Sequence, residues 1–299
     1  MTEPYLLGLY EKSMPDSLSL REKLEAAKAA GYDYLELSID ESDARLARLK
    51  WTEDERRRVV ADMLETGFHI RSICLSGHRK YPLGHPEAAV RARGMEIMAD
   101  CIRLAADLGV RIIQLAGYDV YYRPGDETTR ALFGENLSAC VELAAREGVM
   151  LAFETMETEF LNTVAKARGW VDVIGSPWLQ IYPDSGNITN AALGAQRTVA
   201  EDLFSGRGHL AALHLKESVP GVFREVPYGS GHVDFKTVTE TAYRLGVRRF
   251  LAEFWYDGGA DWERTLAENC RFLRGWLDRA AQAYSEPGRK TAACAGSLL

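Results

Sequence analysis

Eight short apolar or β-branched runs recur along the 299-residue chain, each followed by a longer amphipathic stretch. This alternation limits the fold more than any other feature. The runs are YLLGLY (5–10), YDYLELSI (32–39), IRSICLSG (70–77), RIIQLAG (111–117), LAFETM (151–156), LQIYPD (179–184), LAALHL (210–215) and FLAEFW (250–255). Between them, segments such as LREKLEAAKAAG and TRALFGENLSACVELAAREG return apolar residues every three or four positions and close on a glycine, a helix stop. Strand-then-helix units repeated in this way demand parallel strands joined by crossover helices. Eight units predict a single α/β domain over 1–284, a (β/α)8 barrel of the TIM type. An open doubly wound sheet is the alternative. However, no G-x-G-x-x-G follows the first run and no G-x-x-x-x-G-K-[ST] occurs anywhere. The last stretch, YSEPGRKTAACAGSLL, loses periodicity, and residues 285–299 are expected to form a mobile tail.

Composition excludes several classes of function. A net charge of −7 and a pI near 5.5 lack the basic footprint of a nucleic-acid binder, and ERRRVV (55–60) reads as a solvated helix face. No stretch approaches the roughly 20 apolar residues of a membrane span. The start, MTEPYLLGLYEKSMPDS, has an acidic residue at position 3 and no basic segment before its apolar run, so no secretory signal is expected. Cys74, Cys101, Cys140, Cys270 and Cys294 are odd in number and never form a C-x-x-C pair. They suit a reducing cytoplasm and argue against a disulfide framework or a structural zinc cluster.

A barrel places its chemistry at the C-terminal ends of its strands. There the fifth run offers Glu154, the sixth Asp184, the seventh His214 and the eighth Glu253. Charged groups often mark a strand's exit into solvent, but Glu154 and Glu253 stand inside apolar runs, where a carboxylate is costly unless paired or metal-bound. Four such residues on consecutive strands predict one divalent metal site. Three carboxylates and one imidazole suit Zn²⁺, Mn²⁺ or Co²⁺, with Mg²⁺ also compatible. A divalent ion between opposed glutamates stabilises the enediolate formed when a proton leaves the carbon beside a carbonyl. One glutamate removes that proton and the other returns one to the opposite face, which is epimerisation.

In order along the chain, LGLYEKSMP, LELSIDESDARLARLKW, ICLSGHRKYPLG, IQLAGYDVYY, SPWLQIYPDSGNI, HLKES, GVFREVPYGSGHVDF and LAEFW resemble blocks of the L-ribulose-5-phosphate (L-xylulose-5-phosphate) 3-epimerases. These belong among the xylose-isomerase-like barrels, and the resemblance runs from about residue 5 to residue 280. It implies inversion at carbon 3 of a ketopentose 5-phosphate, with Glu154, Asp184, His214 and Glu253 as metal ligands and Glu154 and Glu253 as the acid–base pair. It also implies a homodimer or larger homo-oligomer in the cytoplasm.

Arg224 matches by position an arginine that grips substrate hydroxyls in related ketose epimerases. Relatives acting on free ketoses carry a histidine three residues after the aspartate. Here Asn187 stands in that place, and it can hydrogen-bond a hydroxyl but not titrate near neutral pH. A phosphate needs cations or N–H groups. The rim beyond the third strand supplies Ser76, His78, Arg79 and Lys80, with Lys12 after the first and Tyr118 and Asp119 after the fourth. Trp178, Trp255 and Phe223 are expected to wall the pocket, while Lys216 and Glu217 either meet substrate or mark where the strand leaves the barrel. Competing readings are an aldose–ketose isomerase or free-ketose 3-epimerase on the same barrel, an abasic-site endonuclease, and a silent sugar-phosphate-binding protein. The acidic balance weighs against nucleic acid as a partner.

Overall fold

The structure is a computed structural model that describes residues 4–285. Strands and helices alternate as β1 (Leu6–Tyr10), α1 (Leu20–Ala29), β2 (Tyr34–Ile39), α2 (Asp43–Ala47), α3 (Glu53–Thr66), β3 (Ile70–Leu75), α4 (Ala88–Asp107), β4 (Ile112–Ala116) and α5 (Glu127–Arg146). The chain continues through β5 (Met150–Glu154), α6 (Val164–Ile174), β6 (Leu179–Ile181), α7 (Ser185–Ala192), α8 (Val199–Ser205), β7 (Leu213–Leu215), α9 (Phe235–Arg244), β8 (Arg249–Ala252) and α10 (Trp262–Ser285). The tail expected at 285–299 lies outside the described residues, apart from Ser285 at the end of α10.

All eight strands are parallel, in the order β6-β5-β4-β3-β2-β1-β8-β7. Parallel bridges from Ile181 to Leu210 and from Asp184 to His214 join the two outer strands, so the sheet closes into the expected barrel. β6 and β7 are shorter than their apolar runs. Pro183, which has no N–H to donate, interrupts the ladder there, although its carbonyl still accepts from His214 N at 2.8 Å.

Helix starts follow local chemistry. Ser19, Thr52 and Thr198 form capping boxes with Glu22, Glu55 and Glu201, and α3 stops at Gly67 in the left-handed conformation. Among the described residues, no helix is long and apolar enough to cross a membrane, and Cys74, Cys101, Cys140 and Cys270 are all buried and unpaired.

The period of two along each strand sorts side chains into two layers. Leu7, Leu9, Leu35, Leu37, Ile113, Leu151, Phe153, Leu213 and Phe250 join the large cluster shared with the helices. A separate cluster takes one residue from each strand or its flank: Tyr10, Tyr34, Cys74, Ile112, Ala152, Tyr182, Ala212 and Leu251. It fills the barrel interior. Tyr34 fits there because Gly8 lies opposite it, where a Cβ would meet the ring at 2.4 Å. Its hydroxyl crosses to donate to Phe250 O at 2.9 Å.

One expected pocket wall sits elsewhere. Trp178 immediately precedes β6, at the N-terminal rim, where its carbonyl accepts from Leu151 N and its ring lies near Gly148. The error is one of strand polarity, because Trp178 stands at the start of its run rather than at the end.

Candidate active site and metal centre

The inner faces of β5, β7 and β8 and the residues beyond β6 bring Glu154, Asp184, His214 and Glu253 together. One donor atom from each lies within 4.8 Å of all the others, and all four residues are buried. Strand register explains the meeting: Asp184 pairs directly with His214, and His214 pairs with Leu251, two residues before Glu253. His214 Nδ1 lies 3.0 Å from Glu253 Oε2 and 3.5 Å from Glu154 Oε1. Gln114, from β4, donates to Glu154 Oε2. Asp184 is also the N-cap of α7, accepting from Asn187 N at 2.7 Å through Oδ1, while its buried Oδ2 has no hydrogen-bond partner.

Two further buried groups belong here: Glu36, which the sequence reading missed, and Lys216, whose role it left open. Glu36, on β2, is fully buried and lies 3.0 Å from His214 Nε2, on the ring edge opposite Nδ1. Lys216, two residues past His214 and so on the same face, places Nζ 3.1 Å from Asp184 Oδ1 and 3.0 Å from Asn187 Oδ1. The alternation of β2 and β7 carried a signal for both, since each is a charged residue on the inward-facing parity.

Electrostatics mark the centre as short of positive charge. Burial, reinforced by the like charge of Glu253, raises the Glu154 carboxyl. Asp184 is pushed up to about 8, by burial first and then by Glu253 and Glu154 against the pull of Lys216. For Glu253 burial acts upward too, but Lys216 and His214 hold it low. Burial alone would lower His214, yet Glu36 and Glu253 carry it well above its ordinary value. Four buried carboxylates thus face one lysine and one imidazole, and such an excess of negative charge is costly without a further cation. The donor set, its spacing and the unpartnered Asp184 Oδ2 fit a divalent ion, which these four residues could hold.

Above this centre the cleft is lined by Lys12, Ser76, Arg79, Asn187, Glu157, Phe223, Arg224 and Trp255, with Tyr10, Cys74 and Met156 alongside. Lys12 is ion-paired to Asp40. Arg79 packs its guanidinium 4.8 Å from the Tyr121 ring centre and 3.4 Å from the Tyr118 hydroxyl. Arg224 reaches Glu157 at 3.8 Å and lies over Trp255.

Other rim residues do not join the cleft. His78 is buried under α4, its Nε2 3.0 Å from Gly94 O, because the turn at 77–79 sends it inward and Arg79 outward. Lys80 is exposed beside Tyr81. Tyr118 stands behind the cleft, donating to Glu157 Oε2 at 3.1 Å, and Asp119 accepts from Thr129 Oγ1 at 2.7 Å near the start of α5. Glu217 accepts from the backbone N–H groups of Ser218, Gly229 and Val233, and so ties down the loop before α9. A larger cavity of about 300 Å³ opens at the opposite end of the barrel, between Met63, Leu108 and Arg249, and contains none of the four clustered residues.

A family model described as xylose isomerase-like TIM barrel matches residues 24–276. The L-ribulose-5-phosphate 3-epimerase UlaE of Salmonella typhimurium is 44% identical over 272 residues, covering 91% of this chain and 93% of the relative. SgbU of Escherichia coli K12, which carries the same activity name with a provisional qualifier, is 48% identical over 281 residues, covering 92% and 97%. Among solved structures, an L-ribulose 3-epimerase superposes with a TM-score of 0.76 at 18% identity over 95% of this chain and 99% of the other. A D-psicose 3-epimerase determined with D-fructose present gives 0.75 at 18% over 91% and 99%. These two likenesses concern the fold.

Proposed function

Because the chain belongs to the L-ribulose-5-phosphate 3-epimerase family within the xylose isomerase-like TIM barrels, we propose that it inverts carbon 3 of a ketopentose 5-phosphate. The observation that carries this reading is the buried cluster of Glu154, Asp184, His214 and Glu253 below a cleft edged with cations. A divalent ion held there, with Zn²⁺, Mn²⁺ or Co²⁺ favoured by the mixed donor set, would supply the positive charge that stabilises an enediolate. Glu154 and Glu253 approach the cleft from different strands and form the acid–base pair. An ionised glutamate takes the proton as the C3–H bond breaks, and the other, protonated, delivers one to the opposite face of the same carbon. The reverse reaction exchanges the two roles.

Lys216 and Asn187 face the substrate hydroxyls, and Arg224 closes over them. Lys12, Arg79 and Ser76 are the groups within the cleft suited to the phosphate. The buried, unpaired cysteines favour a cytoplasmic enzyme. A homodimer follows from the family resemblance and is checked by light scattering on the purified chain.

The test is turnover of L-ribulose 5-phosphate and of free L-ribulose by the metal-loaded protein. The reading expects the phosphorylated sugar to be preferred and Lys12→Ala and Arg79→Ala to reduce that preference. Turnover of the free sugar alone would overturn the phosphate assignment.

A further inference from the structure

We propose that Glu36 is a positioning residue for the metal centre: its carboxylate orients His214 with Nε2 protonated, so that the Nδ1 lone pair is presented toward Glu154 and Glu253. The inference rests on the metal-site reading above and adds to it a residue outside the four ligands.

Glu36 reaches His214 across the barrel, since β2 and β7 are separated in the sheet by β1 and β8. Its Oε1 lies 3.0 Å from His214 Nε2, and its Oε2 accepts from Ser72 Oγ at 2.6 Å. Ser72 is its direct register partner on β3, so both oxygens are held from fixed strands. The Tyr182 ring meets the imidazole edge-on, with centroids 4.7 Å apart, and limits its rotation. Glu36 is fully buried and no lysine or arginine lies within ion-pair distance of it among the described residues. A carboxylate in that position is costly to bury. A serine or glutamine there could receive the imidazole proton but would also be able to donate one. A carboxylate only accepts, so it specifies which ring nitrogen carries the proton. A ligating histidine held from its far nitrogen by a carboxylate is both oriented and made more basic.

The experiment titrates the full-length protein, stripped of metal, with Zn²⁺ and Co²⁺ against a chromogenic chelator. It also reads the His214 tautomer by ¹⁵N NMR of the stripped protein, at a pH where the imidazole is neutral. Glu36→Gln is expected to weaken both ions by about 10- to 100-fold and to lose the single Nε2–H tautomer, because its amide can donate as well as accept. Ser72→Ala leaves the carboxylate in place but frees one of its oxygens, and is expected to weaken the ions by a smaller factor. Thermal unfolding of the stripped proteins checks that the barrel is intact. Should Glu36→Gln fail to fold, Ser72→Ala and Glu36→Asp decide the matter by the same readouts. Affinities within twofold of the parent together with an unchanged tautomer would overturn the role of Glu36 while leaving the metal site standing. A parent that takes up neither ion would overturn the site reading itself, and it would do so before any variant is compared.

Discussion

Lys216 Nζ lies 3.1 Å from Asp184 Oδ1, so a buried ammonium grips the inner acid on the oxygen that also caps α7. The arrangement leaves Asp184 Oδ2 as the free donor toward the other three ligands. It also brings a fixed positive charge to the edge of the cleft, where the proposed proton removal would develop negative charge. Lys216→Met is therefore expected to lower kcat by about 10²–10³-fold. Metal content measured on the same preparation should stay at the parent level, because the four ligands remain. Unchanged kcat in a metal-loaded variant would remove Lys216 from the chemistry.

Glu11 anchors the start of the first connection. Its fully buried carboxylate accepts from Lys23 Nζ at 3.1 Å, from Arg48 Nη1 at 2.6 Å and from Ser38 N at 2.9 Å, and it is also paired with Arg45. Burial acts to raise this carboxyl, but Arg48, Lys23 and Arg45 prevail and hold it well below its ordinary value of 4.5. A depressed folded-state value means that the stabilisation is fully present above the unfolded-state value and is lost as pH falls below it. The melting temperature should therefore begin to drop below about pH 4.5 through this cluster. Glu11→Gln leaves three cations without their shared counter-charge, and is expected to cost about 3–5 kcal/mol near neutral pH. It should also flatten the acid limb of the melting curve. A variant with the parent's stability and pH profile would contradict this account.

Gly8 sets the bore of the barrel. Any Cβ there meets the Tyr34 ring, and Tyr34 spans the interior to Phe250 O. Gly8→Val is expected to destabilise by about 1–3 kcal/mol through overpacking. Tyr34→Phe, which loses only the buried hydrogen bond, should cost nearer 1 kcal/mol. Denaturant unfolding of the two variants distinguishes shape from hydrogen bonding: equal effects would mean that the Gly8 contact is relieved elsewhere.

Much of this architecture was legible because barrel grammar is local. Apolar runs, capping residues and terminal glycines each mark an element without reference to the rest of the chain. The four clustered side chains were legible for a related reason, as each is a polar residue near the C-terminal end of an apolar run. Glu36 escaped because it stands in mid-strand, and its partner His214 is 178 residues away across the barrel. Lys216 was ambiguous for want of knowing that β7 keeps its inward parity one step beyond the assigned strand. His78 and Arg79 are neighbours in sequence and point to opposite sides of one short turn, so rim position alone could not separate them. Glu217 has the composition of a ligand contact but spends its oxygens on three backbone N–H groups, a loop geometry that no spacing rule reveals.

The central claim is proton exchange at carbon 3 by the Glu154–Glu253 pair, and the most direct measurement is proton NMR of L-ribulose 5-phosphate in D₂O with metal-loaded protein. The expected result is deuterium at carbon 3 together with appearance of the C3 epimer. Stripping the metal should abolish both signals, and Glu154→Gln or Glu253→Gln should suppress formation of the epimer. Deuterium confined to carbon 1 with formation of an aldose, or no exchange at any carbon by the loaded parent, would contradict it.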